Sequence, residues 1–239
     1  MSNVKNVEAF EKLVGICSGY RGYNPGSPNL TIPSLTNLLA DAKQALDDAN
    51  VTKSAFDKES NEREIAFDAL PKLASSIVYT LMASGASEQT LVDARFFLRQ
   101  VTGRKRSSKT APVVEATKET AGEVKVSRSP QASFVSKADH FGNLVKLVSA
   151  QTNYAPNEPE LKVQSLAGKL AQIQQLNSSV IQARSNWSNK KMARDKKLYA
   201  DNSLIKTGRS VQKYVRAIYG LKSAEYKGIG KLIFTKPKT

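Results

Sequence analysis

Residues 141–166 read FGNLVKLVSAQTNYAPNEPELKVQSL, and residues 10–35 read FEKLVGICSGYRGYNPGSPNLTIPSL. Laid over one another without a gap, Phe10 meets Phe141, Leu13 and Val14 meet Leu144 and Val145, and Ser18 meets Ser149. Tyr23 then meets Tyr154, Pro25 meets Pro156 and Pro28 meets Pro159, while Leu30, Ser34 and Leu35 meet Leu161, Ser165 and Leu166. The separation is 131 residues throughout. A constant separation over so many identities is the mark of a segment written twice.

Outward from this stretch, each copy reads as the same series of elements. Phe10, Leu13, Val14 and Cys17 take the spacing of one helix face. Gly19 to Pro33 then breaks the helix, and the shared Tyr-x-Pro-x-x-Pro reads as a stiff connector in which proline fixes the backbone. A polyproline ligand has the same letters, but Leu30/Leu161 and Ile32/Val163 look like anchors that pack the segment down. A long amphipathic helix follows, about 34–69 and again about 161–199. In the second copy Leu166, Leu170, Ile173, Leu176, Val180, Ala183 and Trp187 repeat at three- and four-residue steps. Phe56 is the counterpart of Trp187, and each is expected to centre the core of its own half.

A third helix is expected over about 70–84 and 203–219, entered at Pro71 and at Asn202-Ser203 and closed by Gly85 and Gly220. Three additional residues in the second copy raise the separation to 134 from here. Ser87 and Ser223 can cap a short fourth helix. SEQTLVDARFFLRQV is a good amphipath, whereas SAEYKGIGKLIF carries two glycines and is expected to finish as an extended tail. The expected architecture is all-α: a tandem duplication of two bundles of about four helices, at 1–101 and 137–239. A flexible Ser/Thr/Lys/Glu-rich linker at 102–136 joins them. The RKR run at 104–106 in that linker resembles a nucleic-acid or localisation element, although basic tripeptides are common in linkers.

Composition narrows the chemistry. One cysteine and one histidine exclude an internal disulfide and a Cys/His zinc site. Cys17, opposite Val148, reads as a small core residue, and His140, opposite Ala9, as an exposed residue at the linker edge. A catalytic triad or Cys-His pair would need His140, far from either expected core. Asp57, Glu59, Glu62 and Glu64 lack the inward Glu-x-x-His pairs of a di-metal bundle. Neither GxxxxGK[ST] nor a strand-linked GxGxxG occurs. The expectation is a non-enzyme with no cofactor, no metal and no small-molecule substrate. With no apolar run of membrane length and no secretory leader pattern, the expected location is cytoplasmic.

Charge separates the copies. Residues 1–99 hold ten Lys and Arg against twelve Asp and Glu, 100–139 hold eight against four, and 140–239 hold eighteen against five. The halves thus stand at −2 and +13 within a total of +15, a difference that concerns what a surface meets rather than how a chain folds. Leu204, Gly208, Val211, Val215 and Ile218 form the expected buried stripe of the third helix, with Lys206, Arg209, Lys213 and Arg216 on another face. The first copy has Lys72, Ser75, Tyr79 and Met82 at those positions. Lys190, Lys191, Arg194 and Lys197 recur likewise on the long helix, where Lys190 stands opposite Glu59.

Three readings follow. Such a face can be ordinary solvated surface. It can bind an anionic polymer, most simply nucleic-acid phosphate without sequence readout, with Tyr214, Tyr219 and Tyr226 either stacking on bases or packing. Or an acidic half, a basic half and exposed Tyr79 and Met82 can serve self-association or a protein partner in a structural assembly.

The stretches NYAPNEPELKVQSL, SNKKMARDKKLYADNSL and SVQKYVRAIYGLKSAEYKGIGKLIFTK cover most of residues 153–236. In order and spacing they resemble a family of helical proteins of similar length from Bacteroidota. The resemblance implies a bacterial all-α protein and brings no activity or functional residue with it. The first copy departs further, with AFDKESNEREIAFDAL in place of the second stretch.

Overall fold

The computed structural model describes residues 2–103 and 133–235. Helix α1 spans Ser2–Ser18, α2 Ile32–Asp68, α3 Leu70–Ala83 and α4 Glu88–Thr102. Helix α5 spans Phe134–Ser149, α6 Val163–Tyr199, α7 Leu204–Tyr219 and α8 Ala224–Gly230. Among the described residues there is no strand, and the fold is all-α. Most of the expected linker lies outside the described residues, but its two ends do not: Thr102 closes α4, and Phe134, Val135 and Ser136 open α5. Ser133 caps α5 by accepting from the Ser136 N–H.

The connectors are built alike. Pro28–Leu30 and Pro159–Leu161 are single 3₁₀ turns, each with proline in its first turn. The Tyr23 hydroxyl donates to the Leu30 carbonyl at 2.8 Å, and the Tyr154 hydroxyl to the Leu161 carbonyl at 3.0 Å. The tyrosine therefore clamps the connector that its prolines stiffen. Ser87, Ser203 and Ser223 accept from the N–H three residues on and cap α4, α7 and α8. Gly85 and Gly220 take positive φ beyond α3 and α7.

α2 and α6 are each 37 residues long, about 55 Å at 1.5 Å per residue. Neither contains a proline or glycine past its first two turns, and each is one unbroken helix. A bundle of about 100 residues has a radius of gyration of about 13 Å, short beside a helix of that length. The burial pattern divides accordingly. Leu35, Ala42 and Ala49 are buried in α2, and nothing more is until Phe67. Leu166, Ile173, Asn177 and Val180 are buried in α6, and nothing more is until Leu198.

The compact units are consequently not the expected 1–101 and 137–239. A terminal unit joins Met1–Asp57 to Gln182–Thr239, and a central unit is Lys58–Ile181. In the terminal unit α1 lies on α7 and α8. Phe10, Leu13 and Leu35 from the first copy share a core with Leu198, Leu204, Val211, Val215, Ile229 and Phe234 from the second. In the central unit α3 and α4 lie on α5. Phe67, Leu70, Ile77 and Leu81 from the first copy share a core with Phe141, Leu144, Val148, Leu166 and Ile173 from the second. Each core thus takes one part of its apolar surface from each copy.

Two smaller expectations are revised. Ile218 is 59 % exposed rather than buried. His140 is half-buried against Phe96 and Phe97, at ring separations of 6.2 and 6.4 Å. Cys17 is buried, and burial pushes its thiol up to about 11. The helical run Ile32–Ala83 contains one 18-residue window of mean hydropathy 1.2, of which 39 % is buried in the fold.

Candidate polyanion-binding face

α7 is strongly two-sided because its apolar residues recur at three- and four-residue steps. Leu204, Ile205, Gly208, Val211 and Val215 are buried against the terminal core. Lys206, Arg209, Lys213 and Arg216 are all exposed on the other side. The sequence-derived set is therefore brought to one face of α7. Its members have different employment.

Lys206 is paired with Asp201, in the loop just before α7. Arg209 stays exposed while its guanidinium donates to the Phe234 carbonyl at 2.7 Å. Phe234 lies over Gly208 so closely that a Cβ there would sit 2.6 Å from the ring. Gln212 donates to the Ile229 and Leu232 carbonyls, both at 2.9 Å. Asn6, fully buried, exchanges two hydrogen bonds with the Thr235 backbone at 2.8 and 2.9 Å. The extended segment after α8 is thus held along its backbone by Asn6, Arg209 and Gln212. Arg209, on the cationic face, is thus also a clasp for the tail. Among the described residues Lys213 and Arg216 have no carboxylate within ion-pair distance.

On α6 the same sorting occurs. Lys190 pairs with Asp48 at 2.8 Å and Lys197 with Asp41 at 2.5 Å, both on the first half of α2. The Lys190 bond holds the Asp48 carboxyl below its ordinary value. Arg194 pairs with its neighbour Asp195 at 2.7 Å and is largely covered. Lys191 sets its ammonium 5.9 Å from the Trp187 ring centroid.

The tyrosines pack. Tyr214 meets Tyr23 edge-on at 5.5 Å, and Tyr219 meets Tyr20 at 5.8 Å while donating to the Arg21 carbonyl. Tyr226 lies against the terminal core. Burial pushes Tyr23 well above the ordinary phenol range, and Tyr20 and Tyr219 also upward. None of the three candidate stacking tyrosines presents a free ring.

Trp187 and Phe56 do not centre separate halves. They stack on each other, ring centroids 5.5 Å apart at 16°, and both are only half-buried. Lys53, itself paired with Asp57, holds its ammonium 5.2 Å from the Trp187 centroid and 5.7 Å from that of Phe56. Sequence reasoning passed over this group because large aromatics at helical spacing usually mean core. The signal available was the run of polar residues around each ring.

Two clefts lie at equivalent places in the two units. In the central unit a cleft of about 630 Å³ is lined by Lys72, Leu73, Ser76 and Leu161. In the terminal unit one of about 520 Å³ is lined by the counterparts Lys206, Thr207, Ser210 and Leu30. Lys169, Glu158 and Glu160 add both signs of charge to the first, and Asp201 meets Lys206 in the second. Neither cleft therefore selects anions. Among the described residues no group of three or more His, Cys, Asp and Glu could hold a metal ion.

Fold and face together define a class, an all-α chain with an exposed cationic helix face. Beyond that class, no family model matches the chain, and no curated protein or solved structure matches it either.

Proposed function

We propose that the chain is a non-enzymatic interaction protein whose terminal unit binds an anionic polymer, most simply the phosphates of nucleic acid, without reading sequence. The observation that carries this is a charge balance. The terminal unit holds twenty Lys and Arg against nine Asp and Glu, a net +11. Ion pairs consume one cation per carboxylate, so eleven cations of that unit lack a carboxylate within it however the pairs form. The described residues of the central unit hold nine of each sign and sum to zero. An excess gathered in one unit favours a polyanion, because each phosphate neutralised releases counterions.

The contact set centres on Lys213, Arg216 and Lys191, with Arg209 exposed on the same face of α7 and Arg194 largely covered. Replacing Lys213 by Tyr and Arg216 by Met, their first-copy counterparts, is the test. The dependence of log affinity for duplex DNA on log salt should lose about 0.9 per contact removed, so about 2 for the pair. Affinity that is unchanged at low salt in this variant, or absent in the parent chain, removes the proposal.

A second reading, self-association, is favoured by one surface. Tyr79 is 70 % exposed and Met82 40 %, and Val92 and Phe96 are exposed on the adjoining α4. Light scattering over a concentration series decides it: a mass that stays that of one chain rejects it. We read the two copies as products of one duplicated segment, kept together because each supplies half of both cores.

A further inference from the structure

We propose that the Trp187–Phe56 stack is a platform for an unpaired nucleobase, which makes single-stranded nucleic acid the preferred polymer of the terminal unit. This deepens, and rests on, the reading of that unit as a polyanion binder.

An aromatic stack ordinarily completes a core. Here there is no core to complete: α2 has no buried residue between Ala49 and Phe67, and α6 has none between Val180 and Leu198. The rings instead stay partly exposed among cations. Lys53 and Lys191 lie within 6 Å of the indole centroid. Arg184, Trp187 and Lys191 fall at i, i+3 and i+7 of α6, along one face, and Arg184 and Lys191 are both exposed. A cation, a flat ring and a cation in series is the arrangement that tracks a phosphate backbone while a base stacks on the ring. Any base suits it, since every base has a π-face. In a duplex those faces are covered by neighbours, so the ring reaches only unpaired strands. Trp187 is the chain's one tryptophan, so its emission reports this position alone.

The experiment titrates the full chain at low salt with an oligothymidylate and, separately, with inorganic polyphosphate, following indole emission and the anisotropy of a labelled oligothymidylate. The oligothymidylate should quench Trp187, while polyphosphate competes for binding and leaves the emission unchanged. Trp187→Leu should lower affinity for the oligothymidylate by about 5- to 150-fold and leave that for polyphosphate intact, with Trp187→Phe retaining most of the affinity. If the oligothymidylate binds without quenching and Trp187→Leu matches the parent, the platform is wrong and phosphate binding stands. If quenching is the same for both polymers, or Trp187→Leu weakens both equally, the ring acts through the fold and the platform is again wrong. If neither polymer binds, both proposals fall.

Discussion

Gly208 owes its place to Phe234. A methyl group at residue 208 would lie 2.6 Å from the ring that closes the terminal core, and a well-packed core tolerates such insertion poorly. Gly208→Ala should cost about 1–3 kcal/mol, read as a lowered midpoint in denaturant, and should loosen the tail that Arg209 and Asn6 hold. Cys17 supplies a pH signature. Its folded pKa of about 11 lies above the ordinary 9.0, so its contribution to stability is complete below pH 9 and is lost as pH rises to about 11. Tyr154, pushed up to about 12 by burial, acts in the same direction at still higher pH. Stability should therefore fall through this alkaline window, and Cys17→Ala should flatten its lower part. At this scale the sequence was legible wherever a residue's role is local: the cap serines, the turn glycines and the connector tyrosines need only their neighbours. The clasp that Arg209 makes was not legible, because its partner is a backbone carbonyl 25 residues away.

Elements show what the contrast in charge between the copies is for. Asp41 and Asp48 on α2 face Lys197 and Lys190 on α6. The repeat counterparts of those four residues are Gln172, Ser179, Ala66 and Glu59. The acidic positions of one copy and the basic positions of the other are thus complementary within one unit, and part of the asymmetry is internal matching. These pairs are half-exposed, so each contributes only the small stabilisation of a solvent-screened ion pair. Lys190→Asp should lower the thermal midpoint slightly by removing the pair and adding repulsion. Adding Asp48→Lys should restore it, and thermal unfolding of the four members of the cycle checks the coupling. A chain in which the doubly reversed variant stays as weak as the single one would show that the pair is incidental. The charge difference was countable in the sequence; its partners were not, since pairing across 142 and 156 residues leaves no local trace.

At the scale of the molecule, the all-α class and the positions of most helices were readable, because apolar period, caps and connectors are written within a few residues. The division into cores differs from the expected one, and the length of the long helix is the feature of the sequence that bears on it. A 37-residue helix without a break spans about 55 Å, long beside one bundle of about 100 residues. Leu35, Ala42 and Ala49, and separately Phe67, mark its two destinations. Neither copy alone contains a complete core, and a homotypic pair of first copies would bring Asp48 toward Glu59. The most direct measurement expresses residues 1–103 and 133–239 as separate chains and follows mass and unfolding, apart and mixed. The mixture should form a one-to-one complex with a single cooperative transition that neither chain shows as a monomer. A monomeric, cooperatively unfolding domain from either chain alone would contradict the exchange of halves on which both cores depend.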